Sequence, residues 1–283
     1  MDVGTYTGFK VTMEDPGIVV VTFNQPEKLN ASNQWIKRDL VETINQVQME
    51  DEARILVITG EGRGFMAGDN IAHDAGYHAG TARVPDIFHG HHNPSGTYNS
   101  LRFISQAINV AVRNLDKLSI AAVNGYAIQT GMSLALSCDF RVAAESAKLG
   151  SATLRFGLLP DEGGQFLLVQ LLGVAKAMDF LMRKRIVSAR EALELGLVHE
   201  VAPDDQLMAR TMELATELAN GPQVAMRMLK RSIYNAAEMT FAHALDEIAA
   251  KTAISDHHPD AKEGMAAFNA KRDPKFNQWL EQK

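Results

Sequence analysis

The sequence predicts an α/β fold with a helical final third. Three observations carry that expectation. Short apolar runs of strand type, Ile18–Phe23, Ile55–Thr59 and Ile120–Val123, alternate with helical periodicity over the first two thirds. From Gln165 onward the pattern is almost wholly helical. Hydrophobic residues make up 46% of the 283 residues, ample for a large core, and α/β chains of this length often remain one unit. We place an α/β core at residues 1–200 and a helical region at 201–283.

The elements follow in order. Phe9–Met13 and Ile18–Phe23 read as strands around an Asp15-Pro16-Gly17 turn. A helix runs from about Gln34 to Met49, with Trp35, Ile36, Leu40, Ile44 and Val47 on one face. Ile55–Thr59 is a short buried strand. From Gly60 to Gly96 the pattern dissolves into Gly, His, Asp, Asn and Pro, and a loop this long is usually functional or mobile. Helical spacing resumes at Leu101 with Ile104, Ile108 and Val112. Strand Ile120–Val123, a helix from about Met132 to Cys138, and strand Phe140–Ala143 follow, then a loop-rich Leu149–Gly164. Ser188-Ala189-Arg190-Glu191 is a capping box, and Gly196 marks that helix's end. Met208–Ala219, Val224–Ala236 and Phe241–Ser255 read as amphipathic helices.

Composition narrows the function. A net charge of −6 disfavours a nucleic-acid partner, which needs a basic face. The single cysteine, Cys138, excludes an internal disulfide, suits a reducing compartment and reads as a buried small hydrophobe. Met1–Lys10 lacks the pattern of a secretory signal, and no apolar run approaches the ~20 residues that span a bilayer. A cytoplasmic location is the expectation. Gly60–Ala67 contains G-x-G-x-x-A after a strand, but no helix opens at its third small residue, so a dinucleotide site is disfavoured; there is no Walker A sequence.

Two segments carry the chemistry: Phe65–Ile71, and Asn124-Gly125-Tyr126-Ala127-Ile128-Gln129-Thr130-Gly131. Each follows an apolar strand-type run and breaks into small residues whose backbone N–H groups can stay free. Two such amides, converging from separate loops, form an oxyanion hole for an activated carbonyl.

These segments resemble the two oxyanion loops of the crotonase (enoyl-CoA hydratase/isomerase) superfamily. Asn24–Ala31 resembles that family's N-terminal motif, Ala192–Val198 its downstream helix end, and Glu263–Phe268 with Lys271–Phe276 its C-terminal motif. The likeness spans nearly the whole chain in the right order. It implies a crotonase-like ββα spiral with a C-terminal helical trimerisation region, hence a homotrimer or dimer of trimers. It implies an acyl-CoA thioester substrate, with coenzyme A arriving as part of the substrate and no separate cofactor or metal. By position the oxyanion amides belong to Asp69 and Thr130, the latter standing where the family commonly has Gly. Lys28, Leu29, Ala31, Ala67, Asn70 and Ile71 would line the CoA channel, with Lys275 or Phe276 reaching it from a C-terminal region. A solvated surface lysine is the plainer reading of Lys28.

The departures are informative. The two glutamates that family hydratases use to position water would fall at Ser133 and Thr153, so ordinary hydration is disfavoured. Asp161 and Glu162 remain, at positions where family isomerases and hydrolases place a working carboxylate. The competing reading is that both simply favour the start of the following helix. In the long loop, His89, His91 and His92, together with His73 and Tyr98, are lesser candidates for substrate contact, and metal binding there lacks a ligand frame. Phe241, His243 and Leu245 read as core or subunit contact. The functional expectation is an acyl-CoA enzyme that stabilises an enolate or oxyanion and performs isomerisation, hydrolysis or C–C cleavage. The alternatives are a non-catalytic acyl-CoA-binding protein and a purely structural subunit.

Overall fold

The computed structural model describes residues 1–70 and 93–282. Its first strands are β1 (Gly4–Tyr6), β2 (Phe9–Glu14) and β3 (Ile18–Phe23), the last two joined by the expected turn, with Gly17 N donating to Glu14 O. Helix α1 (Gln34–Met49) follows, its N-terminus capped by Asn33, whose side chain accepts from the Trp35 and Ile36 amides. Then come β4 (Ile55–Gly60), β5 (Gly64–Met66), α2 (Pro94–Ser100), a π-helical turn at Leu101–Ser105, and α3 (Ala107–Asn114). The central stretch holds β6 (Leu118–Val123), β7 (Tyr126–Ile128), α4 (Thr130–Ser137), β8 (Phe140–Ala144), β9 (Lys148–Gly150) and α5 (Gly164–Met182). The chain ends with β10 (Ile186–Ser188), α6 (Ala189–Glu194), β11 (Glu200–Ala202), α7 (Leu207–Ala219), α8 (Gln223–Ala236), α9 (Phe241–Asp256) and α10 (Pro259–Ala270).

Two sheets form. One has the order β1-β2-β3-β4-β6-β8-β11, parallel from β3 onward; the other has the order β10-β9-β7-β5, with β5, β7 and β9 parallel. The continuous apolar runs of β3, β4 and β6 suit strands buried on both faces. The larger sheet continues past residue 200 through β11, and Leu207, Ala215 and Ala219 of α7 pack into the same core.

Several local expectations need correction. Strand β5 and the helical residues after Pro94 lie inside the stretch read as loop. Helix α4 starts at Thr130, two residues before the expected Met132, because its first turn closes on Gln129: Ser133 N donates to Gln129 O. Helix α5 is 19 residues long and carries an 18-residue window of mean hydropathy 1.4, so an apolar run of nearly spanning length does occur. Gly173, at φ 75° and ψ 165°, breaks it into two short segments, each below the length that crosses a bilayer. Phe241 and Leu245 are not core residues: α9 has no buried residue, and these side chains are 80% and 52% exposed. Cys138 is buried, and burial pushes its thiol up to about 12, which makes it inert at neutral pH.

Candidate functional site

Strands β5 and β7 are parallel neighbours, so the chain leaves both in the same direction. That alone sets residues 67–70 beside residues 129–131. The approach is close: a Cβ on Gly131 would lie 2.0 Å from the Met66 carbonyl oxygen. The side chains are joined as well, with Thr130 Oγ1 donating to Asp69 Oδ1 at 3.1 Å. Thr130 therefore fits where a smaller residue was anticipated, and the left-handed φ falls on Gln129 instead, at 50°.

The amides are arranged by the same pairing. Ser32 and Asp69 form an isolated parallel bridge in which Ser32 N donates to Gly68 O and Asn70 N donates to Ser32 O. This pattern turns the N–H of Asp69 away from Ser32. Thr130 is the first residue of α4, so its N–H has no acceptor within the helix. Among the described residues neither nitrogen has an acceptor. Ala67 N donates to Leu29 O and Asn70 N to Ser32 O, so residues 29–32 run beside residues 67–70, next to the half-buried Lys28, with Leu29 itself left-handed at φ 51°. Ile71, His73, His89, His91 and His92 lie outside the described residues. Tyr98 is 63% exposed on α2.

The acidic pair divides. Glu162 is buried; Asp161 is half-buried, and its backbone carbonyl accepts from Gln106 Nε2 at 2.8 Å. The N-cap of α5 is Gly163, which makes no side-chain cap bond. Glu162 meets a residue that sequence reasoning missed. Lys37, on the buried face of α1, donates to Glu162 Oε1 at 2.9 Å, Asp69 Oδ2 at 2.8 Å and Ser105 Oγ at 3.0 Å. All three ammonium protons are thereby used. Ser32 Oγ adds a 2.6 Å bond to Asp69 Oδ1, and Asn109 Nδ2 holds the Glu162 carbonyl at 2.8 Å. The π-helical turn delivers Ser105 into this cluster.

The charges are unevenly matched. Burial pushes the Glu162 carboxyl up, and with help from the nearby Asp69 charge it overcomes the Lys37 attraction and leaves the group above the usual glutamate range. Partial desolvation would raise the half-exposed Asp69, but Lys37 and the Ser32 and Thr130 hydroxyls hold it below its usual value. Burial would lower Lys37, yet the two carboxylates keep its ammonium above the ordinary lysine range. Among the described residues Glu162 Oε2 is buried with no partner at hydrogen-bond distance, although the Thr130 hydroxyl is near enough to pull the carboxyl downward. A carboxyl with a raised pKa and one free oxygen, close to two unpaired amides, is equipped to move a proton at a carbon beside a polarised carbonyl.

Comparison with known proteins matches this arrangement to one group. The enoyl-CoA hydratase/isomerase family profile covers residues 13–280. The chain belongs to this family. It is 34% identical over 272 residues to the 1,2-epoxyphenylacetyl-CoA isomerase of Escherichia coli, covering 95% of this chain and 98% of that one. It is 34% identical over 262 residues to the enoyl-CoA hydratase EchA19 of Mycobacterium tuberculosis, covering 91% and 92%. The crystal structure of an enoyl-CoA hydratase from Bacillus anthracis superposes with a TM-score of 0.85 at 29% identity, over 95% of this chain and 98% of that one. The crotonase fold and the membership in an enzyme family of acyl-CoA chemistry are thus established for this chain.

Ser133 and Thr153, where the resemblance would place hydratase carboxylates, carry only hydroxyls. Ser133 is buried on α4, and Thr153 lies in a 3-10 turn after β9. The signal that could have revealed Lys37 was its spacing: residues 37, 40, 44 and 47 form one stripe, and a lysine heads a row of Leu, Ile and Val.

Proposed function

We propose that the protein binds an acyl-CoA thioester, holds its carbonyl oxygen with the amides of Asp69 and Thr130, and uses Glu162 to move a proton on the resulting enolate. The observation that carries this is the free, buried Oε2 of Glu162, whose other oxygen is fixed by Lys37. Backbone donors already in place cost no reorganisation when charge develops on the oxygen, and one such donor is typically worth about 10²–10³ in rate. The neutral residues at Ser133 and Thr153 favour isomerisation, hydrolysis or C–C cleavage over ordinary hydration. Lys28, Leu29, Ala31, Ala67, Asn70 and Ile71 would border the CoA, and Asp161 supports the loop through its backbone. Exposed apolar side chains on α5 (Phe166, Val174, Met178) and α10 (Met265, Phe268) support the expected homotrimer or dimer of trimers. A cytoplasmic location accords with the single buried thiol.

The test needs no knowledge of the true substrate. Short acyl-CoA esters incubated with the protein in deuterium oxide are expected to exchange their α-protons faster than in buffer alone. If no ester in a panel exchanges while esters still raise Tm, the protein is the binding module instead.

A further inference from the structure

The C-terminal ends of β5, β7 and β9 lie side by side, and polar residues follow each of them. Asp69 follows β5, Gln129 and Thr130 follow β7, and Ser151 and Thr153 follow β9. Gln129 takes a backbone conformation, φ 50° and ψ −101°, that side-chain-bearing residues rarely adopt. Its amide N donates to Gly150 O at 2.8 Å, which holds it across the end of β9. Its side-chain Oε1 accepts from Ser151 Oγ at 2.5 Å and from Thr153 Oγ1 at 3.5 Å. The other end of that amide, Nε2, is buried and without a partner, in a residue only 8% exposed. One turn into α4, the hydroxyl of Ser133, a residue 1% exposed, is unpartnered too. Two unfilled neutral donors, held in a strained and braced position, call for an acceptor from outside the chain.

We propose that the Gln129 amide, with the Ser133 hydroxyl one turn further along α4, is a second polar subsite that binds an oxygen on the acyl group, so that the substrate is an acyl-CoA oxygenated at its β-carbon. The inference rests on the reading of Asp69 and Thr130 as thioester-oxygen donors. Gln129 and Thr130 are consecutive, with Cα atoms about 3.8 Å apart, so the two donors start from adjacent backbone positions and suit two oxygens a few bonds apart. The β-carbon is the first position beyond the carbon that loses its proton. A neutral N–H donor suits a carbonyl or hydroxyl there. A simple alkyl chain would leave Nε2 and the hydroxyl buried and unpaired, and sites that leave such groups unpaired reject the ligand strongly.

Isothermal titration with acetoacetyl-CoA and butyryl-CoA tests this, because the two differ by one β-carbonyl. The quantity read is the ratio of the two Kd values within each protein, so a general loosening of the pocket cancels. The wild type is expected to favour acetoacetyl-CoA by at least about tenfold, the effect of one well-placed hydrogen bond. Gln129→Met is expected to reduce the ratio to about threefold or less. Gln129→Glu, which sets a carboxylate against the keto oxygen, is expected to bring it to unity or below. A wild-type ratio near one, or a tenfold ratio that persists in either variant, overturns the subsite and leaves the oxyanion reading standing. Binding of neither ester by the wild type overturns both.

Discussion

Lys37→Met is expected to destabilise the fold by roughly 3–5 kcal/mol, the usual consequence of removing one partner from a buried ion pair. The Lys37–Glu162 leg is the one that sets this size, since the side chains are 3% and 2% exposed. The Asp69 leg contributes less, because its carboxylate is 49% exposed and screened by solvent. The loss is pH-dependent, and its sign is fixed. Lys37 pulls the Glu162 carboxyl downward, so without it that carboxyl rises further above its usual range. An acid whose pKa is higher folded than unfolded binds protons more tightly in the native state. Stability of the variant therefore falls as pH rises from the ordinary glutamate range through the raised native value. Urea unfolding at about pH 5 and about pH 8 reads this: the deficit relative to wild type is larger at the higher pH. A deficit equal at both values means that Lys37 does not govern the Glu162 charge.

Glu162→Gln is expected to lower α-proton exchange and turnover by about 10²–10⁴, the range for losing a positioned acid–base group. Gln keeps an oxygen for Lys37, so the cluster's geometry survives while the titrating group disappears. Two features separate this from general damage. The wild-type kcat/KM should rise with pH through a limb above the ordinary carboxylate range, because burial raises Glu162. The variant's residual rate should lack that limb. Asp161→Asn is expected to change turnover far less, since it is the Glu162 carboxyl that Lys37 holds at the centre of the buried cluster. A variant at position 162 that retains wild-type turnover and the same limb removes Glu162 from the chemistry.

The large sheet was legible in the sequence because its inner strands are apolar on both faces, as in Ile55–Thr59. Strands β5, β7, β9 and β10 have three residues each, too short for a two-residue alternation to declare itself. The segments proposed to supply the oxyanion amides and the Asp161-Glu162 pair could be located from motif and order. What joins them could not. The Lys37–Glu162 bond links residues 125 positions apart, and no local pattern encodes a contact of that span. Lys37 announced itself only as a charge on an apolar stripe. The left-handed Gln129 was equally hidden, because glycine is the residue that normally signals such a backbone.

The decisive measurement is a crystal structure of the protein with a carbonyl-bearing, non-hydrolysable analogue in the site, such as a 2-oxoalkyl-CoA thioether. Our account requires the ligand's carbonyl oxygen to lie about 2.7–3.1 Å from both main-chain nitrogens, at 69 and at 130. An acyl oxygen bound elsewhere, with either nitrogen directed to another acceptor, would contradict it.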